Sequence, residues 1–122
     1  MGQKISVLVV EDEALIRMDM VDFLQREGFE VFEAAHAAAA IEILERTAAI
    51  SIIFTDIDMP GTMDGLALAA AVRDRWPPVK IVLTSGHETV ELNDLPDGGR
   101  FFSKPYRHDA VAATFRELAA RR

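Results

Sequence analysis

Apolar runs rich in β-branched residues recur at Ile5–Val10, Glu30–Ala34, Ile50–Thr55, Lys80–Thr84 and Arg100–Ser103, with helically spaced stretches between them. Val7-Leu8-Val9-Val10 and Ile50-Ser51-Ile52-Ile53-Phe54 are nearly continuous rather than alternating. That pattern predicts strands covered by helices on both faces, as in a parallel sheet. The first helix is predicted from Glu13 to Glu27, with Leu15, Ile16, Met20, Phe23 and Leu24 on its buried stripe and Gly28 taking the left-handed position just past its end. Further helices are predicted over Ala37–Arg46, Leu66–Arg75 and His108–Ala120. The third must stop at Trp76-Pro77-Pro78, because a proline denies helical conformation to the residue before it.

Strands alternating with helices in so short a chain predict one α/β domain over residues 1–122, a doubly wound, flavodoxin-like sandwich. Its five-stranded parallel sheet should have the order 2-1-3-4-5, with a crevice at the carboxyl ends of strands 1 and 3, where the winding reverses. Only 19 residues separate Thr84 from Lys104, and HETVELNDLPD supplies just Val90, Leu92 and Leu95 as apolar anchors before Pro96 interrupts. The helix between strands 4 and 5 is therefore predicted to be short, displaced or irregular.

Charge narrows the function. Thirteen Lys+Arg against 20 Asp+Glu leave a net charge of −7, a poor match for the counterion release that drives nucleic-acid binding. The absence of cysteine excludes thiol nucleophiles and Cys-ligated metals and fits the cytoplasm. No apolar segment is long enough to span a membrane. His36, His87 and His108 share no metal-ligand spacing and are expected at the surface.

Strand 1 ends in Glu11-Asp12, strand 3 in Asp56, strand 4 in Thr84-Ser85 and strand 5 in Lys104-Pro105, which puts these polar groups on one rim. Three converging carboxylates raise one another's pKa unless a positive charge intervenes. A hard cation such as Mg²⁺, which takes one or two carboxylates and keeps waters, is the natural compensator. Lys104 and the Thr84 hydroxyl supply a second charge and a donor, completing the parts that stabilise a transferring phosphoryl group.

In these motifs, VLVVEDE, TDIDMPG, IVLTSG and FFSKP, the chain resembles the receiver domain of bacterial two-component response regulators over essentially its whole length. The resemblance implies that Asp56 is phosphorylated by a phosphohistidine of a sensor histidine kinase or histidine phosphotransfer protein. It implies that Asp12 and Asp56 ligate Mg²⁺ directly, that Glu11 holds metal-bound water, and that the Asp58 backbone carbonyl completes the ligands. Lys104 would pair with a phosphoryl oxygen, Thr84 would move to bond it, and Phe101 would turn inward into the vacated space. A cis Lys104–Pro105 bond is expected, and a homodimer is compatible with the resemblance. The chain departs from the commonest family form by one extra residue between Pro60 and Asp64-Gly65, expected to lengthen that loop without moving Asp56.

The rival from another class is a haloacid-dehalogenase-like phosphohydrolase, with Asp56 as nucleophile and Asp58 as acid/base. There the Asp-x-Asp strand comes first, whereas here Glu11-Asp12 precedes it. A flavin or nucleotide module of the same fold would need a P-loop or G-x-G-x-x-G turn that the sequence does not contain.

Overall fold

The computed structural model describes residues 4–59, 61, 63–86 and 99–121. The elements run β1 (Ser6–Val10), α1 (Ala14–Arg26), β2 (Glu30–Ala34), α2 (Ala37–Arg46), β3 (Ile52–Asp56), α3 (Gly65–Arg75), β4 (Lys80–Ser85), β5 (Arg100–Ser103) and α4 (His108–Ala120). All neighbouring strands pair in parallel, in the order β2-β1-β3-β4-β5. The expected short helix between β4 and β5, and His87, fall within residues 87–98 and lie outside the described residues.

The unbroken apolar strands are explained by two cores. Leu8, Val10, Ile53, Ile81 and Leu83 face α2 and α3, while Val7, Val9, Ile52, Phe54 and Val82 face α1 and α4. The three central strands, β1, β3 and β4, thus divide their side chains between two helix layers and leave neither face to water, whereas the edge strand β2 exposes Glu30 and Glu33. Burial of both faces fixes the register, since a one-residue slip would exchange the two sets. Register is what aligns the strand ends.

Helix ends follow local chemistry. Past α1, Gly28 adopts φ 96°, its N–H bonds the Gln25 carbonyl at 3.1 Å, and the Phe29 N–H bonds the Leu24 carbonyl at 3.0 Å. This paired closure uses the left-handed conformation that glycine adopts without a Cβ clash. The Asp64 carboxylate caps α3 by accepting the Ala67 N–H at 2.9 Å, and the His36 ring caps α2 by accepting the Ala39 N–H at 3.2 Å.

Two expectations are corrected. Leu15 is 82% exposed rather than buried, because only Met20, Val21 and Leu24 of α1 reach the sheet fully. Periodicity gives a helix an apolar stripe but not the width of the sheet beneath it. His108 is not a plain surface residue: its ring lies 5.2 Å from Phe23 and 6.0 Å from Tyr106, and its Nε2 is 3.4 Å from Asp19.

Candidate functional site

Parallel pairing delivers the carboxyl ends of the strands to one rim, and there Glu11, Asp12 and Asp56 each present an oxygen within 4.8 Å of the others. Glu11 and Asp56 are buried, and Asp12 is exposed. Lys104, just past β5 and joined to Pro105 by the expected cis bond, spans the two buried acids. Its Nζ lies 2.8 Å from Glu11 Oε1 and 2.8 Å from Asp56 Oδ2. The second Asp56 oxygen, Oδ1, accepts the Asp58 N–H at 3.0 Å, so both carboxylate oxygens are held.

The electrostatics follow from burial and charge. Burial pushes the Glu11 carboxyl up to about 7, with the nearby Asp56 charge adding to the rise and the hydrogen bond from Lys104 opposing it. Burial on its own would lower the Lys104 ammonium, but hydrogen bonds to Asp56 and Glu11 outweigh it and hold the group above its usual value. Tyr106, packed edge-on against Phe54, is pushed up to about 12, mainly by burial and further by the Glu11 charge.

Thr84 stands level with Asp56 in the β3–β4 register and is 2% exposed. Among the described residues its Oγ1 has no hydrogen-bond partner. An orphaned buried hydroxyl costs about 1–3 kcal/mol, which makes it a group awaiting an acceptor. Phe101 pairs with Leu83 and is half-buried against the core on the α2/α3 side. The Asp58 carboxylate is turned to β4, where the Ser85 hydroxyl donates to its Oδ2 at 2.6 Å.

Three further residues shape the rim without having been singled out from sequence. The Arg17 guanidinium donates to the Glu11 carbonyl at 2.7 Å and to Glu33 at 3.0 Å, fixing the turn after β1. An arginine at that spacing in an amphipathic helix gives no sign of this. Tyr106 walls the acidic rim beside Phe54. Gly65 starts α3 directly against the end of β3: a Cβ there would lie 2.2 Å from the Asp56 carbonyl oxygen and 2.6 Å from the Ile57 Cα. Both obstacles are backbone, so a Gly65→Ala chain must shift α3 or the end of β3. The expected loss is about 1–3 kcal/mol of stability, read by thermal or urea unfolding.

A cleft of about 690 Å³ opens beside Lys104, lined among others by Leu15, Ile16, Asp19, Tyr106 and His108. The exposed Leu15 therefore borders the cleft beside Lys104.

A doubly wound fold carrying acids, hydroxyl and lysine on successive strand ends defines the class. The chain belongs to the response regulator receiver domain family, whose profile matches residues 7–115. It is 36% identical over 117 residues to the sensor kinase CckA of Brucella abortus, covering 93% of this chain but only 12% of that protein. It is 34% identical over 103 residues to the response regulator receiver protein CpdR of the same organism, covering 82% of this chain and 84% of that one. The crystal structure of a response regulator receiver protein from Sinorhizobium medicae superposes with a TM-score of 0.87 at 31% identity, covering 98% of each chain. This membership favours the receiver over the haloacid-dehalogenase alternative. Among the described residues, no helix is long and apolar enough to cross a membrane.

Proposed function

We propose that residues 1–122 form one phosphoacceptor domain of a two-component relay, working in the cytoplasm, in which Asp56 takes a phosphoryl group from a phosphohistidine of a sensor kinase or phosphotransfer protein. The observation that carries this reading is the Lys104 ammonium 2.8 Å from Asp56 on a rim that also gathers Glu11 and Asp12. An Asp56 carboxylate oxygen attacks phosphorus, the phosphorus–nitrogen bond to the donor imidazole breaks, and the leaving ring nitrogen keeps the bonding pair. Lys104 stabilises the charge on the transferring oxygens. Thr84, whose hydroxyl has no partner among the described residues, then donates to a phosphoryl oxygen, and Phe101 moves with it.

An all-oxygen donor set within 4.8 Å suits a hard divalent cation such as Mg²⁺. Asp12 and Asp56 would hold it directly, Glu11 through water, and Asp58 through its backbone carbonyl. When bound it would neutralise negative charge on the phosphoryl oxygens. Aspartyl phosphate shifts a two-state equilibrium only as far as its contacts differ between the two states. The domain is accordingly a switch that catalyses its own phosphorylation and slow dephosphorylation.

The exposed Leu15 beside the cleft supports docking of the protein donor over α1, next to Lys104. Leu15→Asp is expected to slow transfer from a phosphorylated kinase or phosphotransfer protein about tenfold, while uptake from acetyl phosphate is unchanged in a parallel time course. The reading as a whole is tested by borohydride trapping after treatment with acetyl phosphate. Reduction of an acyl phosphate leaves homoserine, expected at position 56 on peptide mapping; homoserine at another position, or none, would overturn it.

A further inference from the structure

Asp58 is two residues from the nucleophile and its N–H sits on Asp56 Oδ1 at 3.0 Å, yet its carboxylate is not among the three that converge on the rim. That carboxylate meets Ser85 instead. This last residue of β4 is 2% exposed, and its hydroxyl donates to Asp58 Oδ2 at 2.6 Å, a short bond to a charged acceptor. The Ser85 carbonyl accepts the Lys104 N–H at 3.0 Å. Ser85 thus touches, through different atoms, both residues that hold the Asp56 carboxylate.

We propose that Ser85 is a positioning residue that keeps the Asp58 carboxylate out of the acidic cluster, so that the rim presents three carboxylates and not four. The inference rests on Asp56 being the phosphoacceptor. A fourth carboxylate free to turn toward Asp56 would add negative charge where both a cation and a phosphoryl group must arrive. These two arrivals respond in opposite directions: the cation is attracted and the phosphoryl group is repelled. Loss of packing alone would not produce such a split.

The test compares the wild-type chain with Ser85→Ala, Ser85→Thr, Asp58→Asn and the double variant S85A/D58N, using calorimetric titration with Mg²⁺ alone and, separately, the rate of phosphoryl uptake from acetyl phosphate. Ser85→Ala is expected to bind Mg²⁺ about three- to tenfold more tightly and to take up phosphate at least threefold more slowly. Ser85→Thr, which keeps the hydroxyl, should behave as wild type, and S85A/D58N should lose the gain in affinity. Ser85→Ala with a lowered Tm but unchanged Mg²⁺ affinity would overturn the inference and leave the phosphoacceptor reading intact. A wild-type chain that binds no Mg²⁺ and accepts no phosphate would overturn both. The Asp58→Asn background supplies a second check: Ser85→Ala should change Mg²⁺ affinity at least threefold when Asp58 is present and less than twofold when S85A/D58N is measured against Asp58→Asn, and equal effects in the two backgrounds would contradict the proposal.

Discussion

Asp56→Asn is expected to abolish phosphoryl uptake while making the metal-free domain more stable. Asparagine keeps the shape of the side chain and an oxygen to accept the Asp58 N–H, but it has no carboxylate to attack phosphorus. The stability gain comes from the crowding itself. Asp56 and Glu11 are both buried and share one ammonium, and the Asp56 charge helps push the Glu11 carboxyl up to about 7. Removing one of these negative charges relieves repulsion that Lys104 cannot fully offset. A gain of about 1 kcal/mol, or about 4 °C in Tm for a domain of this size, is expected in EDTA. Scanning calorimetry checks it, and the gain should shrink when Mg²⁺ is added, because the wild-type chain then recovers by binding.

Lys104→Ala should have the opposite effect on stability. The lysine side chain is 18% exposed and contacts two acids that are more deeply buried still, so its removal strands both. Breaking a buried pair by deleting one partner costs about 3 kcal/mol, moderated here because Glu11 can take up a proton. Without the Lys104 hydrogen bond, which normally lowers it, the Glu11 carboxyl should rise above about 7. A folded-state pKa raised above the usual carboxyl value of 4.5 favours folding at low pH, and that contribution is lost as pH rises through the folded value. The variant should therefore lose stability from about pH 5 to 8 more steeply than wild type in EDTA, as followed by urea unfolding at each pH. Mg²⁺ should restore much of the loss by mass action. Phosphoryl uptake should remain slow even at saturating Mg²⁺.

Much of this could be inferred from the chain alone, for identifiable physical reasons. Strands buried on both faces show as unbroken apolar runs, and strand-end residues are placed by topology once the order β2-β1-β3-β4-β5 is inferred. Glu11, Asp12, Asp56 and Lys104 meet for that reason. Leu15 departs from the predicted stripe because a helical stripe does not reveal which turn overhangs the edge of the sheet. The contacts of Ser85 with Asp58, of Arg17 with the Glu11 carbonyl, and of Gly65 with the β3 backbone depend on register to within an ångström. No local sequence pattern encodes them. Gly65 came nearest: a glycine directly after a helix-capping Asp64 hints at a close approach, without saying to what.

The most direct measurement is the intact mass of the chain after incubation with acetyl phosphate, in Mg²⁺ and in excess EDTA. Metal-dependent acceptance at Asp56 requires a single added phosphoryl group in Mg²⁺, absent in EDTA and absent in Asp56→Asn under both conditions. Equal incorporation with and without the cation, or incorporation that survives Asp56→Asn, would contradict it.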